Sequence, residues 1–181
     1  MIACLAIPGF ELRAALRSRP QLSLRPAALA PAEGTEPLLG PVTAAAEASG
    51  IRPGMRLGEA LALCPSLVLV EADPQGSGRE WEGILRRLED AGIAVSPAEP
   101  GCAFFETRGV ERLYGGVEAA LRRALSAVGP AWDARIGAAE RKFAALAAAS
   151  AANFRSAAPA HGSQVDPTAA SARSSAPATP P

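Results

Sequence analysis

Glu106 is the one charge within the apolar run 102–107, Cys-Ala-Phe-Phe-Glu-Thr, which glycines bracket at 101 and 109. Ala103 and Phe105 alternate with Cys102 and Phe104 over a stretch too short for a helix, so the run reads as a buried strand. A carboxylate on a central strand of an α/β domain can hold a metal ion or act as a base. The plainer use is an ion pair with Arg108, two residues on and on the same face of the strand. Which of the two holds depends on the residues around it.

Other reactive side chains are few. His161 is the only histidine, and it lies in a C-terminal segment dominated by Ala, Pro, Ser and Thr. A Ser-His-Asp or Cys-His arrangement therefore cannot assemble in the folded part. Cys4, Cys64 and Cys102 are widely spaced, include no Cys-x-x-Cys and sit among apolar residues, which predicts free buried thiols in a reducing cytosol, with no disulfide framework and no zinc site. Gly76-Ser77-Gly78 and Gly115-Gly116 match neither the P-loop nor the dinucleotide spacing and read as turns. Arg86-Arg87, Arg122-Arg123 and Arg141-Lys142 could meet phosphates, but Glu82, Glu89, Asp90 and Glu118 lie close by, which favours solvated helix faces.

The elements that must position these groups follow from punctuation and periodicity. At 181 residues the chain suits one domain, or one with a small second lobe. Lys plus Arg and Asp plus Glu are equal at 18 each, so no global field draws it to nucleic acid or a membrane surface. Residues 1–7 are apolar but lack a basic flank, and Pro8-Gly9 stops them short of a signal segment, so they read as a first strand. Arg, Glu or Pro interrupts every apolar stretch before it reaches membrane-spanning length. A soluble, cytoplasmic chain is expected.

Residues 10–19 then read as a short helix ended by Pro20, and 22–40 as a loop-rich stretch with a weak strand at 27–30. Helical composition over 41–49 closes on Gly50, and a second short helix over 57–64 is stopped by Pro65 before an apolar strand at 67–70. Ser77-Gly78-Arg79-Glu80 has the form of a capping box, after which Trp81, Ile84, Leu85 and Leu88 give one apolar face. Residues 93–97 and 102–107 read as a hairpin turned by Glu99-Pro100-Gly101. Val117, Leu121, Leu125 and Val128 mark another amphipathic helix, 132–138 a strand and 140–152 an alanine-rich helix. From 153 the composition predicts disorder. This order suits an α+β layout, a ferredoxin-like sheet with helices on one face and a small helical insertion at 41–72.

Three stretches carry a family resemblance. Gly50-Ile51-Arg52-Pro53-Gly54-Met55-Arg56-Leu57-Gly58-Glu59-Ala60-Leu61, followed by Leu63-Cys64-Pro65, resembles the fingers segment of the Y-family translesion DNA polymerases, the group of UmuC and DinB. Residues 102–109 resemble that family's palm strand, and Ile136-Gly137 with Lys142-Phe143-Ala144-Ala145 resembles a later strand and helix. The resemblance implies a palm over 1–18 and 73–152, fingers over 19–72 and a disordered tail over 153–181.

It also implies what is missing. Family members transfer nucleotides with two magnesium ions held by carboxylates. Their first strand carries D-x-D where this chain has Ala6-Ile7-Pro8, and their palm hairpin carries S-I-D-E where this chain has Glu99-Pro100-Gly101-Cys102. The triphosphate-contacting tyrosine and arginine align with Ala44 and Glu47, the aromatic steric gate with Glu11 and a palm lysine with Asn153. Glu106 falls where the family has a later, non-catalytic aspartate. The resemblance thus implies a chain without catalytic, nucleotide-binding or metal-binding residues and without a cofactor.

Such a pattern is similar to the ImuB-like branch, non-catalytic relatives that act as adaptors in damage-induced mutagenesis. By that resemblance the implied partners are an error-prone replicative-type polymerase, a RecA-like accessory protein and the sliding clamp, with DNA contacts weak or indirect and no membrane contact. Residues 104–105 and 109–116 also resemble this branch more than active polymerases. The alternatives are a residual nucleotidyltransferase using Glu99, Glu106 and Glu111 with magnesium, and a truncated or frameshifted product without a function.

Overall fold

The computed structural model describes residues 1–151. Asn153, His161 and the rest of the tail expected to be disordered lie outside the described residues. Strand β1 (Ile2–Ala6) is central to the sheet because alternate side chains on both its faces are apolar: Ala3 and Leu5 enter the main core, and Cys4 faces the other way. Gly9, at φ 62°, turns the chain into helix α1 (Phe10–Arg17). This helix has two buried faces. Phe10 and Ala14 join the main core, while Leu12, Ala15 and Leu16 pack on a second sheet.

That second sheet is a parallel pair, β2 (Ala27–Leu29) with β3 (Val68–Val70). Between them lie two short helices, α2 (Ala44–Ala48) and α3 (Leu57–Leu63), around a cluster of Ala28, Leu39, Ala46, Ile51, Ala60, Cys64 and Leu67. Thr43 starts α2 by accepting from the Ala46 N–H and also ties in β2, accepting from the Ala27 N–H at 3.0 Å. Gly50, at φ 85°, ends α2 in the left-handed turn that its sequence position predicts.

Helix α4 (Pro74–Asp90) begins three residues before the expected capping box. Asp73 accepts from the Gly76 N–H at 2.8 Å with Pro74 in the first turn, and this start prevails over Ser77 and Glu80. Ser77 is buried in the helix instead, beside the expected face of Trp81, Ile84 and Leu88. Strands β4 (Val95–Glu99) and β5 (Cys102–Glu106) form the hairpin, with Glu99 opposite Cys102 and Pro100-Gly101 as the turn, so Glu99 ends β4 and does not lie in the turn. Proline followed by a residue at positive φ, here Gly101 at 88°, is the signature of a type II turn. A short helix α5 (Val110–Tyr114), absent from the sequence reading, is tied back by the Tyr114 hydroxyl donating to the Ala91 carbonyl. Then come α6 (Val117–Val128), β6 (Arg135–Ala139) and α7 (Lys142–Ala151). Strand β6 starts later than expected because Pro130–Trp132 form a 3-10 turn, after which Asp133 takes positive φ.

The main sheet has the order β4-β5-β1-β6 and is antiparallel throughout. With α4 and α6 as the crossovers this is the expected ferredoxin-like α+β arrangement. One expectation fails: the helices are not all on one face. Phe10, Trp81, Ile84, Leu88, Leu121 and Leu125 cover one side, but Ala145 and Ala149 of α7 cover the other, against Cys4, Cys102 and Phe104. Gly137 makes this possible, since a Cβ there would collide with the α7 backbone at Ala148 and Ala149. No helix among the described residues is long and apolar enough to cross a membrane.

Candidate functional site

The tip of the β4–β5 hairpin folds against the end of β1. Ile7 donates its N–H to the Gly101 carbonyl at 2.8 Å, which locks the turn onto the β1–α1 connection. Beside this lock lies a cavity of about 520 Å³ walled by Ala6 to Glu11, by Glu99 to Cys102, by Arg135 and by Leu146, Ala149 and Ser150 of α7. The structure thus brings together Ala6, Glu11, Glu99, Gly101 and Cys102. Ala44 and Glu47 border a neighbouring cavity of about 470 Å³ that shares Pro8, Gly9, Pro41 and Arg135 with the first. The two cavities form one cleft between the sheet end and the smaller lobe.

Glu106 is not part of it. It sits at the opposite end of β5, paired with Ile2, where Cys102 pairs with Ala6. Four residues of strand separate the ends by about 13 Å. Glu106 and Arg108 are both exposed, and among the described residues no ion pair joins them, so the expected pairing is not made. The reason is that Arg108 lies beyond the end of β5, where Thr107 turns back to donate from its backbone N–H to the Met1 carbonyl. The side chain of Glu111 lies outside what the structure describes.

The cleft wall does not fit magnesium, a hard cation that takes oxygen ligands. Ala6 and Gly101 offer no side-chain donor and Cys102 offers a thiol. Glu11 and Glu99 are exposed, and among the described residues no three His, Cys, Asp or Glu side chains group to hold a metal. The thiols are also poor nucleophiles. Burial, then the neighbouring Cys102, pushes the Cys4 thiol up to about 12, and burial raises Cys102 too, with Glu99 adding to it and a hydrogen bond from Cys4 opposing it. The two sulfurs lie 3.8 Å apart and both are protonated at neutral pH. Cys64 is likewise buried and free.

Arginine pairs on the helices behave as solvated faces. Arg122 pairs with Glu118 and Arg86 with Glu82, each one helical turn apart and exposed. Arg135 is different, and sequence reading missed it. It stands directly opposite Ala6 in the β1–β6 register and lines both cavities. The signal that marks it is its isolation, as the only charge on β6.

Residues 6–150 match the model of the impB/mucB/samB family. The fold is similar to solved structures of Y-family DNA polymerases. A post-insertion binary complex of Dbh DNA polymerase gives a TM-score of 0.73 at 18% identity, covering 85% of this chain and 46% of that one. An insertion ternary complex of Dbh gives 0.70 at 17%, covering 83% and 46%. DinB from Sulfolobus solfataricus gives 0.68 at 20%, covering 85% and 46%. The chain therefore spans less than half the length of these proteins. A search of curated protein sequences finds no significant match.

Proposed function

The chain belongs to the impB/mucB/samB family, and we propose that it is a catalytically silent, ImuB-like domain of the Y-family polymerase kind that acts as an adaptor in DNA damage tolerance and damage-induced mutagenesis. One observation carries this reading. At the hairpin tip, where the resemblance places a carboxylate pair, the chain has Gly101 at φ 88° pressed against Phe10, followed by a protonated buried thiol. The backbone there suits a glycine, which supports a site without the carboxylate pair.

The division into a palm over 1–18 and 73–152 and fingers over 19–72 belongs to the same proposal, supported by an apolar cluster of the main sheet and one contained within residues 28–67, with Leu12, Ala15 and Leu16 of α1 packing across the boundary onto the second sheet. So do the partners, namely an error-prone replicative-type polymerase, a RecA-like accessory protein and the sliding clamp, and the cytoplasm as the place of action. Balanced charge supports weak or indirect DNA contact. Primer extension with magnesium or manganese tests the silent site, with no incorporation expected; incorporation abolished by Glu99→Gln or Glu106→Ala would restore the nucleotidyltransferase reading. Co-purification with purified members of the three partner classes tests the adaptor role, and binding to none of them overturns it.

A further inference from the structure

Strand β6 is one edge of the main sheet, and among the described residues no strand pairs with its outer side. The phase of its hydrogen bonds follows from the other side of β1. Ile7 donates its N–H to the Gly101 carbonyl and Thr107 donates to the Met1 carbonyl, so odd-numbered positions along β1 bond to β5 and even-numbered ones to β6. Ile2, Cys4 and Ala6 thus take up Ala139, Gly137 and Arg135. The N–H and C=O groups of Ile136 and Ala138 are left pointing away from the sheet, and among the described residues they take part in no backbone bond outside it. The opposite edge is blunted, because Pro97 in β4 has no N–H and the register shifts between Pro97 and Glu99. Strand β6 carries neither proline nor bulge.

Helix α7 adds an independent observation. It lies over the seam of β1 and β6, against Cys4, Ala6 and Gly137. Its Lys142 sits over the Phe104 ring at 5.3 Å and its Leu146 and Ser150 line the cleft, so that flank faces β5. The opposite flank, Ala144, Ala148 and Ala151, faces the free edge, uncharged and exposed or half-buried. We propose that β6 pairs antiparallel with β6 of a second copy of this chain about a two-fold axis at Gly137, with the alanine flanks of the two α7 helices packed on each other. The register is self-complementary: Ile136 stands opposite Ala138 of the second copy, and their outward groups exchange hydrogen bonds. The helix spacing also fits. With paired strands about 4.8 Å apart and α7 about half that spacing inside β6, the two helices stand about 10 Å apart, a separation at which helices pack. Charge selects the direction. Arg135 opens β6 and Glu140 follows its end, and among the described residues neither is ion-paired. Antiparallel pairing brings Arg135 of each copy beside Glu140 of the other, whereas parallel pairing sets like charges together. This edge lies across β1 from the hairpin tip, so the inference does not depend on the adaptor reading.

The test is sedimentation equilibrium of the full chain from micromolar to millimolar concentration, with amide exchange followed by NMR across the same range. A monomer–dimer equilibrium is expected, in which protection of the Ile136 and Ala138 amides grows with the dimer while the Gly137 amide is protected throughout. Ala138→Pro removes an outward N–H from each copy and leaves the bonds to β1 in place, so it should weaken dimerisation by about tenfold or more. Should that variant fail to fold, Ala144→Glu, which sets a carboxylate on each alanine flank, should weaken it as well. A chain that is monomeric at every concentration, a dimer whose Ile136 and Ala138 amides exchange as fast as in the monomer, or a dimer undiminished in the folded variant would overturn the proposal. Protection of these amides in a monomeric chain only after addition of the polymerase, RecA-like protein or clamp would give the edge to a different protein and overturn self-pairing.

Discussion

A Cβ atom on Gly101 would lie 2.5 Å from the Cβ of Phe10 and 3.1 Å from its Cγ, and Gly101 already holds φ 88°. Any side chain here meets both a strained backbone and a buried ring, which is itself fixed by stacking on Trp132 at 5.2 Å and by an edge contact with Trp81 at 5.5 Å. Gly101→Ala should cost about 1–3 kcal/mol, seen as a lower midpoint in thermal or urea unfolding. Gly101→Asp should cost more, because it adds a carboxylate. The combined variant Ala6→Asp, Gly101→Asp, Cys102→Glu should therefore unfold or stay inactive in primer extension. If it folds at wild-type stability, the hairpin tip is not committed to glycine.

The buried thiols make stability depend on alkaline pH. Cys4 titrates near its ordinary value of 9.0 when unfolded and at about 12 when folded. Below pH 9 both states hold the proton and the contribution is fully present. Between 9 and 12 the unfolded state releases its proton while the folded state keeps it, so stability falls as pH rises through that window. The melting temperature should drop above pH 9, less steeply in Cys4→Ala. Thiol alkylation should show Cys4 unreactive at pH 8 in the folded chain, whereas rapid labelling there would contradict its burial and raised pKa.

Helix α4 offers a test of two competing starts. Asp73→Ala removes the side chain that accepts from Gly76 and should cost about 1 kcal/mol. Glu80 is no capping partner; its carboxylate reaches Arg17 at 3.2 Å in a half-exposed pair. Glu80→Gln should therefore shift the unfolding midpoint by about 0.5 kcal/mol or less. A larger loss in Glu80→Gln than in Asp73→Ala would place the helix start at Ser77.

These cases show what a linear reading can reach. Trp81, Ile84 and Leu88 declare their helix face within eight residues, and Pro100-Gly101 declares its turn in two, because the determining contacts are local. The start of α4 is not legible because Asp73-Pro74 and Ser77-Glu80 both carry start signals, and the tertiary burial of Ser77, with the Asp73 cap on Gly76, decides between them. Arg135 is illegible in the sequence for a different reason. What makes it unusual is a strand partner, Ala6, 129 positions away, together with a helix on the far side of the sheet. Sheet order and the side on which α7 packs are long-range outcomes that no local pattern encodes. The degenerate hairpin was legible as missing carboxylates, but the contact between Gly101 and Phe10 was not.

The seat of α7 gives the last prediction. A Cβ on Gly137 would lie 2.7 Å from the Ala145 carbonyl oxygen and would run into the backbone at Ala148 and Ala149. Since these are main-chain atoms, no rotamer change relieves the collision, and the helix itself must lift from the sheet. Gly137→Ala should cost about 1–3 kcal/mol or more and should lower amide-exchange protection in α7 well before α4, because among the described residues α7 is the helix that packs on that face. Gly78→Ala is the control, since a Cβ in that helical position has open space and should be neutral or stabilise by up to about 1 kcal/mol. Lifting α7 also moves Leu146, Ala149 and Ser150, the third wall of the cleft.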